Sequence, residues 1–458
     1  MRRTFLALVL AVAFAATCCT VATAAAKTPP AKPLRMSLSV PARMATGSQA
    51  YIEALIVNPD DNPRTFTYEA KAAQLNIDPK TLKRRVWLGA KAFLLVQWQA
   101  KPAKPGDAKF VLLLDGKKTT ERGVRVFSPV KPPVLTVVEP LGARPLVVDG
   151  AKLPAKCDFE VEITAGAPGE LTATLHGLRQ VSGLDTNAIV ARGIVPAALA
   201  KGAAPELDVL YALQDASGGW GATPLAAPDI RTTSWVVFWL GHLAKSGVKV
   251  DAKALNAAIA HLRSRLPAAS VAMRVRALTA LAANGKAEKK DLAAISKAEL
   301  GKLPAAGRLL AGYAGADAAP PPKKDWDKLN AFEASVLLLH LTRRARLDET
   351  ALAEAERVLS TAVARRGAQP GFNTHEAPLY ALALKALADR SKAGPEGTVG
   401  VTVDGRKVKE AKLDAASPVL RCKVTSAPAA TGDQKARLSV SSTAGKGMFC
   451  RVIVRPAE

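Results

Sequence analysis

The apolar positions of this 458-residue chain change their period twice. From Leu34 to about Lys131 they fall in short alternating or continuous runs, as in Tyr51-Ile-Glu-Ala-Leu-Ile-Val57, Ala92-Phe-Leu-Leu-Val-Gln-Trp98 and Phe110-Val-Leu-Leu-Leu114. Alternation puts successive side chains on opposite faces of a strand, and Pro, Gly, Asn or Asp closes each run, so this stretch predicts a β-sandwich. Strand-like runs continue beyond Pro132-Pro133, from Val134 to Val138 and from Cys157 to Ile163, and end near Leu175.

At about Leu184 the period becomes helical and Ala becomes abundant. Helices are predicted over 187–200, 206–214, 233–245, 252–266, 269–283, 292–300, 306–313, 328–344, 349–365 and 375–389. Asp251 and Asp348 stand where N-caps are expected, and Asn373 with Glu376 has the spacing of a capping box. Short loops with Gly and Pro join these segments, which predicts antiparallel helix pairs.

Strand periodicity returns beyond Gly394, in Thr398–Val403, Leu438–Ser441 and Phe449–Val454. The final segment, about 65 residues, is short for an independent sandwich. It is therefore expected to pair with the strands of 133–182 as one split β-domain, with the helical block as an insertion.

The amino terminus adds context. Arg2 and Arg3 precede an apolar run from Phe5 to Ala16 and the small residues Ala22-Thr-Ala-Ala-Ala26, the arrangement of a secretory signal peptide cleaved before Lys27. Cys18 and Cys19 lie where a lipoprotein Cys could sit, but Ala15-Ala16-Thr17 lacks the usual large aliphatic residue, so export to the periplasm or the exterior without a lipid anchor is the expectation. No later segment reaches the roughly 20 apolar residues of a transmembrane helix. Residues 27–33, Lys-Thr-Pro-Pro-Ala-Lys-Pro, read as a tether.

The formal charge is +25, and loss of residues 1–26 removes two Arg and no acid, leaving +23. The Lys and Arg are spread along the chain, with small clusters only at Lys83-Arg84-Arg85 and Arg343-Arg344-Ala345-Arg346. That is a solvated basic surface, not a nucleic-acid footprint. Contact with an anionic envelope polymer remains an expectation. Of the cysteines left after cleavage, Cys422 and Cys450 share one strand-rich segment and form the natural disulfide pair, with Cys157 left over.

Enzymatic signatures are weak. There is no Gly-rich phosphate loop, nucleophile elbow or two-carboxylate constellation, so no catalytic, cofactor or metal residue is assigned. His242, His261, His340 and His375 lie on separate helices and read as ordinary interfacial residues. Trp235 and Trp239, one helical turn apart, read as core.

The most distinctive stretch is Leu213-Gln-Asp-Ala-Ser-Gly-Gly-Trp-Gly221. Glycines let the chain leave one helix with positive φ, Trp220 folds back on the helix ends, and the Gln214 amide can bind backbone groups of the next helix. Gly218 and Gly219 supply the turn. A looser copy, Pro370-Gly371-Phe372-Asn373, precedes another helix start, which suggests a repeated α/α arrangement.

The Gln214, Gly218 and Trp220 spacing is similar to the Gln-and-Trp motif of triterpene cyclases, whose fold is an α/α toroid; the Asp-x-Asp-Asp acid run of that family is absent. The order of the corner, Thr232-Thr-Ser-Trp-Val-Val237, Phe372-Asn-Thr-His-Glu-Ala377 with Tyr380–Leu387, Val401-Thr-Val-Asp-Gly405 and Gly445-Lys-Gly-Met-Phe-Cys450 resembles more closely the C-terminal part of alpha-2-macroglobulin proteins, over roughly 34–458. The resemblance implies a multidomain α+β fold: a macroglobulin-like β-sandwich over 34–132, a CUB-like β-domain split over 133–182 and 394–458, and an inserted all-α α/α toroid over 183–393.

Covalently trapping members of that family carry Cys-x-Glu-Gln near the first toroid helix. The corresponding stretch here, Leu184-Asp-Thr-Asn-Ala-Ile-Val-Ala-Arg-Gly-Ile-Val-Pro196, has neither Cys nor Gln, and the nearest candidate, Cys157-Asp-Phe-Glu160, alternates like a strand. The family's preceding macroglobulin domains and bait segment are also expected to be missing. What remains is a thioester-less, exported, non-enzymatic module that contacts a protein partner, a protease or an envelope protein. The alternative is a toroid that binds or converts a polyisoprenoid or other apolar ligand.

Overall fold

The computed structural model describes residues 32–127, 135–142, 144–148, 153, 156–200, 202–204, 206–317, 320–343, 349–367, 374–390, 395–426, 436–444 and 447–457. The signal peptide, linker residues 27–31, Asp348, Gly371, Phe372 and Asn373 lie outside them.

Two sheets share the first core. One is built from β1 (Arg35–Ser39), β3 (Ala50–Val57), β5 (Leu75–Asn76) and β7 (Phe93–Pro102), in the order β1-β3-β7-β5. The other is built from β2 (Arg43–Ala45), β4 (Arg64–Ala73), β6 (Lys83–Leu88), β8 (Gly106–Leu114) and β9 (Lys117–Phe127), in the order β2-β9-β8-β4-β6. Among the described residues of these sheets, only the β2–β9 pairing is parallel. The alternation seen in the sequence decides the inward faces: Ile52, Ala54 and Ile56 from one sheet meet Phe66, Phe110 and Leu112 from the other around Trp98.

A second pair of sheets joins the two ends of the remaining chain. Strands β10 (Leu135–Leu141), β12 (Cys157–Ala165), β15 (Val419–Thr425) and β17 (Met448–Pro456) run in the order β10-β17-β12-β15. Strands β11 (Leu146–Val148), β13 (Gly397–Val403), β14 (Arg406–Leu413) and β16 (Leu438–Ser442) run in the order β11-β16-β13-β14. Phe159 and Val161 pack with Val399, Val401, Val440 and Val452 in one core. Residues more than 250 positions apart therefore lie side by side, as Glu160 does with Lys423 and Ile453.

Between the two halves the chain is helical: α1 (Gly166–Arg179), α2 (Thr186–Ile189), a π-turn (Val190–Ile194), α3 (Val195–Ala200), α4 (Leu207–Ala212), α5 (Ile230–Lys245), α6 (Ala252–Arg265), α7 (Val271–Ala283), α8 (Lys289–Ala293), α9 (Lys297–Gly301), α10 (Ala305–Ala314), α11 (Ala331–Thr342), α12 (Glu349–Gly367) and α13 (Glu376–Ala388). Packing runs from α3 to α5, α7, α10, α11 and α13, and α13 returns to α3 and α1, so the inner helices form a closed circuit. Helices α6 and α12 pack outside it, against α5 and α11.

Three boundaries differ from the sequence reading. Residues 166–179 are helical rather than strand, because Gly166 turns the chain at φ +57° and the next buried residues, from Ala167 through Glu170 and Ala173 to Leu178, recur at helical spacing. The predicted helix over 292–300 is two short helices, since Ser296 and Glu299 form a capping box. A second box, Asn330 with Glu333, starts α11 at Ala331. Asp251 caps α6 as expected, accepting from the Lys253 and Ala254 amides.

The three blocks also touch. Leu55 and Val57 on the outer face of β3, and Phe449 of β17, join the helical core. Among the described residues no helix is long and apolar enough to cross a membrane.

Candidate functional site

The corner at Leu213–Gly221 is a compact knot of hydrogen bonds. Asp215 accepts from the Ser217 amide at 2.8 Å and the Ser217 hydroxyl at 2.6 Å. Gln214 Nε2 donates to Gly218 O and to Ala254 O, each at 2.8 Å, joining the end of α4 to the start of α6. Trp220 is fully buried, and its Nε1 donates to Leu210 O at 2.7 Å. The glycines are spatial requirements: a Cβ on Gly218, whose φ is +85°, would lie 2.5 Å from Ala257 O, and one on Gly219 would lie 2.6 Å from Pro228 Cβ.

This corner leads directly to the stretch where the resemblance places a reactive loop. Thr186, the first residue of α2, donates through Oγ1 to Gly221 O at 2.6 Å and through its amide to Ala222 O at 3.0 Å. Asp185 caps α2 by accepting from the Ala188 amide. The helix then widens into the π-turn, an irregularity often found at functional sites. Its apolar residues are buried and one charged residue is buried with them, Arg192.

Arg192 organises the junction between the helices and the first sandwich. Its Nε donates to Glu206 Oε1 at 2.8 Å, its Nη2 to Ser37 Oγ at 2.6 Å, and its Nη1 to the carbonyls of Gly183 and Val181. The Gly183 amide donates in turn to Ser39 Oγ at 2.5 Å. Gly193 lets Glu206 approach, because a Cβ there would lie 2.9 Å from Glu206 Cβ. An open pocket of about 230 Å³ lies beside the pair, bordered by Arg122 and Arg179. Periodicity does not mark this pair; its one sequence signal is a lone Arg inside the apolar run Ile189-Val-Ala-Arg-Gly-Ile-Val195.

A second buried network links the β and helical blocks. Glu170 of α1 accepts from Thr164 Oγ1 at 2.6 Å and from the Tyr380 hydroxyl at 3.2 Å. Burial, reinforced by the Glu170 charge, pushes the Tyr380 phenol well above its ordinary range.

The circuit axis is filled with aromatic groups. Trp235 and Trp239 meet edge to face at 5.8 Å, Phe238 lies 5.4 Å from Trp239, and His375 approaches Trp235 at 4.9 Å. His242 Nε2 and the Tyr313 hydroxyl are 2.9 Å apart. Burial, with the charges of Lys245 and Arg343, lowers His242 to about 3. His261 Nδ1 lies 2.9 Å from Ser217 Oγ, back at the corner. His340 is on α11, half-buried. The four histidines are thus distributed, and among the described residues no group of three or more His, Cys, Asp or Glu could hold a metal. The axial cavity is about 40 Å³. An isoprenoid chain needs a pocket of roughly 300 Å³ or more, so this cavity is too small for one.

The cysteines stand elsewhere and correct the disulfide expectation. Cys422 and Cys450 are free thiols, and with Cys157 they belong to the second β-core. Cys422 pairs with Val161 and Cys450 with Ile163 across opposite edges of β12. One intervening strand puts their backbones about 10 Å apart, beyond the roughly 7 Å limit for a bridge.

Neither the known protein-family models nor the curated proteins include a match to this chain. Solved structures do. The native Escherichia coli alpha-2-macroglobulin spanning domain MG7 to the C-terminus is 15% identical, with a TM-score of 0.51 over 93% of this chain and 75% of that one. The native conformation of Escherichia coli alpha-2-macroglobulin is 14% identical, with a TM-score of 0.50 over 93% of this chain and 30% of that one. Salmonella alpha-2-macroglobulin reacted with methylamine is 16% identical over 93% of this chain and 31% of its own, at 0.49. The chain thus spans about a third of the longer relatives and has the fold of their C-terminal region.

Proposed function

We propose that this chain is an exported protein-binding module of the alpha-2-macroglobulin kind that works without a thioester, through contact with a protease or another envelope protein. In this reading the closed helical circuit is an α/α toroid inserted into a split CUB-like domain, preceded by a macroglobulin-like sandwich. The observation that carries it is the chemistry of residues 184–196 beside the corner. That stretch holds neither the Cys nor the Gln of a thioester, and it is spent on structure: Asp185 caps, Thr186 ties the corner, and Arg192 clamps the sandwich. Every described Cys is in the β-core across the molecule. Among the described residues no acid and nucleophile are assembled together, which supports non-covalent contact as the mode of action.

The test is crosslinking of the full chain within an envelope fraction, followed by mapping of the crosslinked residues. One partner bound saturably at a defined face is the expected result, and the absence of any saturable partner would reject the reading. Incubation with labelled methylamine checks the chemistry separately. Uptake of label would reject the thioester-less part.

A further inference from the structure

We propose that the mouth of the helical circuit, at the N-terminal ends of its inner helices, binds a carboxylate. The axial cavity is lined from the N-terminal halves of inner helices by Trp235 of α5, Arg276 of α7, Phe332 of α11 and Leu379 of α13, with Phe238, Thr279 and Leu310 set deeper along theirs. Inner helices that present these ends to one mouth direct their positive dipole ends there. The side chains add to that field. Arg276 is half-buried and makes no hydrogen bond or ion pair among the described residues, and neither does the exposed Arg231; burial, reinforced by the Arg231 charge, lowers the Arg276 pKa from its ordinary value. Among the described residues no carboxylate lines the cavity.

A second, independent feature points to an acceptor. Trp235 is only 9% exposed, it lines the cavity, and its indole N–H has no partner. Leaving such a donor unpaired costs roughly 1–3 kcal/mol. The neighbouring hydroxyls are engaged with backbone carbonyls, Ser234 Oγ donating to Ile230 O and Thr279 Oγ1 lying against the carbonyls of Val275 and Leu310, and neither is within hydrogen-bond reach of the indole. Burial and the two arginine charges lower His375 to about 4, which leaves the imidazole neutral at physiological pH. The cavity thus offers one guanidinium and one indole donor inside apolar walls of Phe238, Leu310 and Phe332. About 40 Å³ admits a group the size of a carboxylate and little more, so the body of the ligand stays at the mouth against the apolar rim.

Two sources have this chemistry, a small free acid and the terminal carboxylate of a polypeptide. The probes are phenylacetate, N-acetyl-Gly-Phe with a free carboxylate, and the same dipeptide amidated, each titrated calorimetrically into the full chain. Both acids should bind, and the amide at least about tenfold more weakly, as expected when a charge-assisted contact is lost. Phenylacetate binding as tightly as the peptide identifies a free acid as the source, whereas tighter peptide binding identifies a chain terminus. Arg276→Gln should weaken acid binding at least tenfold without lowering the melting temperature, because the guanidinium it removes is unpaired. Trp235→Phe keeps the ring, removes only the donor, and should weaken binding in the same sense. Equal binding of acid and amide, unchanged affinity in both variants, or no binding of either acid would overturn the proposal.

Discussion

Arg192 and Glu206 are joined by a 2.8 Å ion pair in which both side chains are more than nine-tenths buried. The pair ties the π-turn to the start of α4, and the same guanidinium reaches Ser37 in the first sandwich. Two charges removed from water are stabilised only by each other and by these hydrogen bonds, so the loss of one leaves the other uncompensated.

Glu206→Leu or Arg192→Met should therefore each cost about 3–5 kcal/mol, while the double variant should lose much less than the two single losses added together. Urea unfolding of all four proteins checks this. If the single losses simply add, the pair is not the unit inferred here. Because Arg192 also bridges to Ser37, the single variants are expected to separate the unfolding of the first sandwich from that of the helices, seen as a second transition.

The corner should be intolerant in proportion to burial. Trp220→Ala empties a fully buried site and should cost about 3–5 kcal/mol. Gln214→Ala leaves Gly218 O and Ala254 O without their donor and should cost about 1–3 kcal/mol. Gly218→Ala should be worse than an ordinary surface change, since it meets Ala257 O at a positive φ. Melting temperatures in the order wild type, Gln214→Ala, Trp220→Ala check the ranking, and an unaffected Trp220→Ala protein would contradict it.

Periodicity alone located most strands and inner helices, because those elements bury one face and the burial is written into the spacing. Cys157-Phe159-Val161-Ile163 alternates in the chain and in the sheet. The failures have separate causes. Residues 166–179 were obscured by Gly166, Pro168 and Gly169 at the opening, and a Cβ on Gly169 would lie 2.6 Å from Pro418 O, a long-range approach with no local signal. The Arg192–Glu206 pair and the Glu170–Tyr380 contact depend on positions 14 and 210 residues apart, which no period encodes. The cysteine pairing was misjudged because proximity in sequence conceals an intervening strand that comes from the other end of the chain.

The three described cysteines should behave as inert core thiols. Burial raises the Cys450 thiol to about 12, and burial also raises Cys157 and Cys422. A thiol reagent at pH 8 should titrate the half-buried Cys422 slowly and the other two only after unfolding. A raised folded pKa stabilises the native state below the unfolded value of about 9, and that contribution is lost as pH rises toward 12. Cys450→Val should accordingly flatten the alkaline limb of the stability curve. Rapid labelling of Cys450 in the native protein would contradict the packing described.

Acid should act through the aromatic axis. His242 is held near 3 by burial, reinforced by Lys245 and Arg343, against about 6.5 in the unfolded chain. Its pKa is thus depressed on folding, so its contribution is complete above about pH 6.5 and lost as pH falls toward 3. Each pH unit inside that window costs up to about 1.4 kcal/mol for this one group. Carboxylates titrate over part of the same range, so the informative quantity is the difference between wild type and His242→Phe. The substitution keeps an aromatic ring beside Phe238, 4.7 Å away, and its loss of the Tyr313 contact is a nearly constant offset across this window. Stability measured by urea at pH 7, 6, 5 and 4 should fall more steeply for wild type than for the variant, with the gap closing as pH decreases. Parallel curves would mean that His242 gains its proton in the folded state, and that the axis is wetter than the 40 Å³ cavity allows.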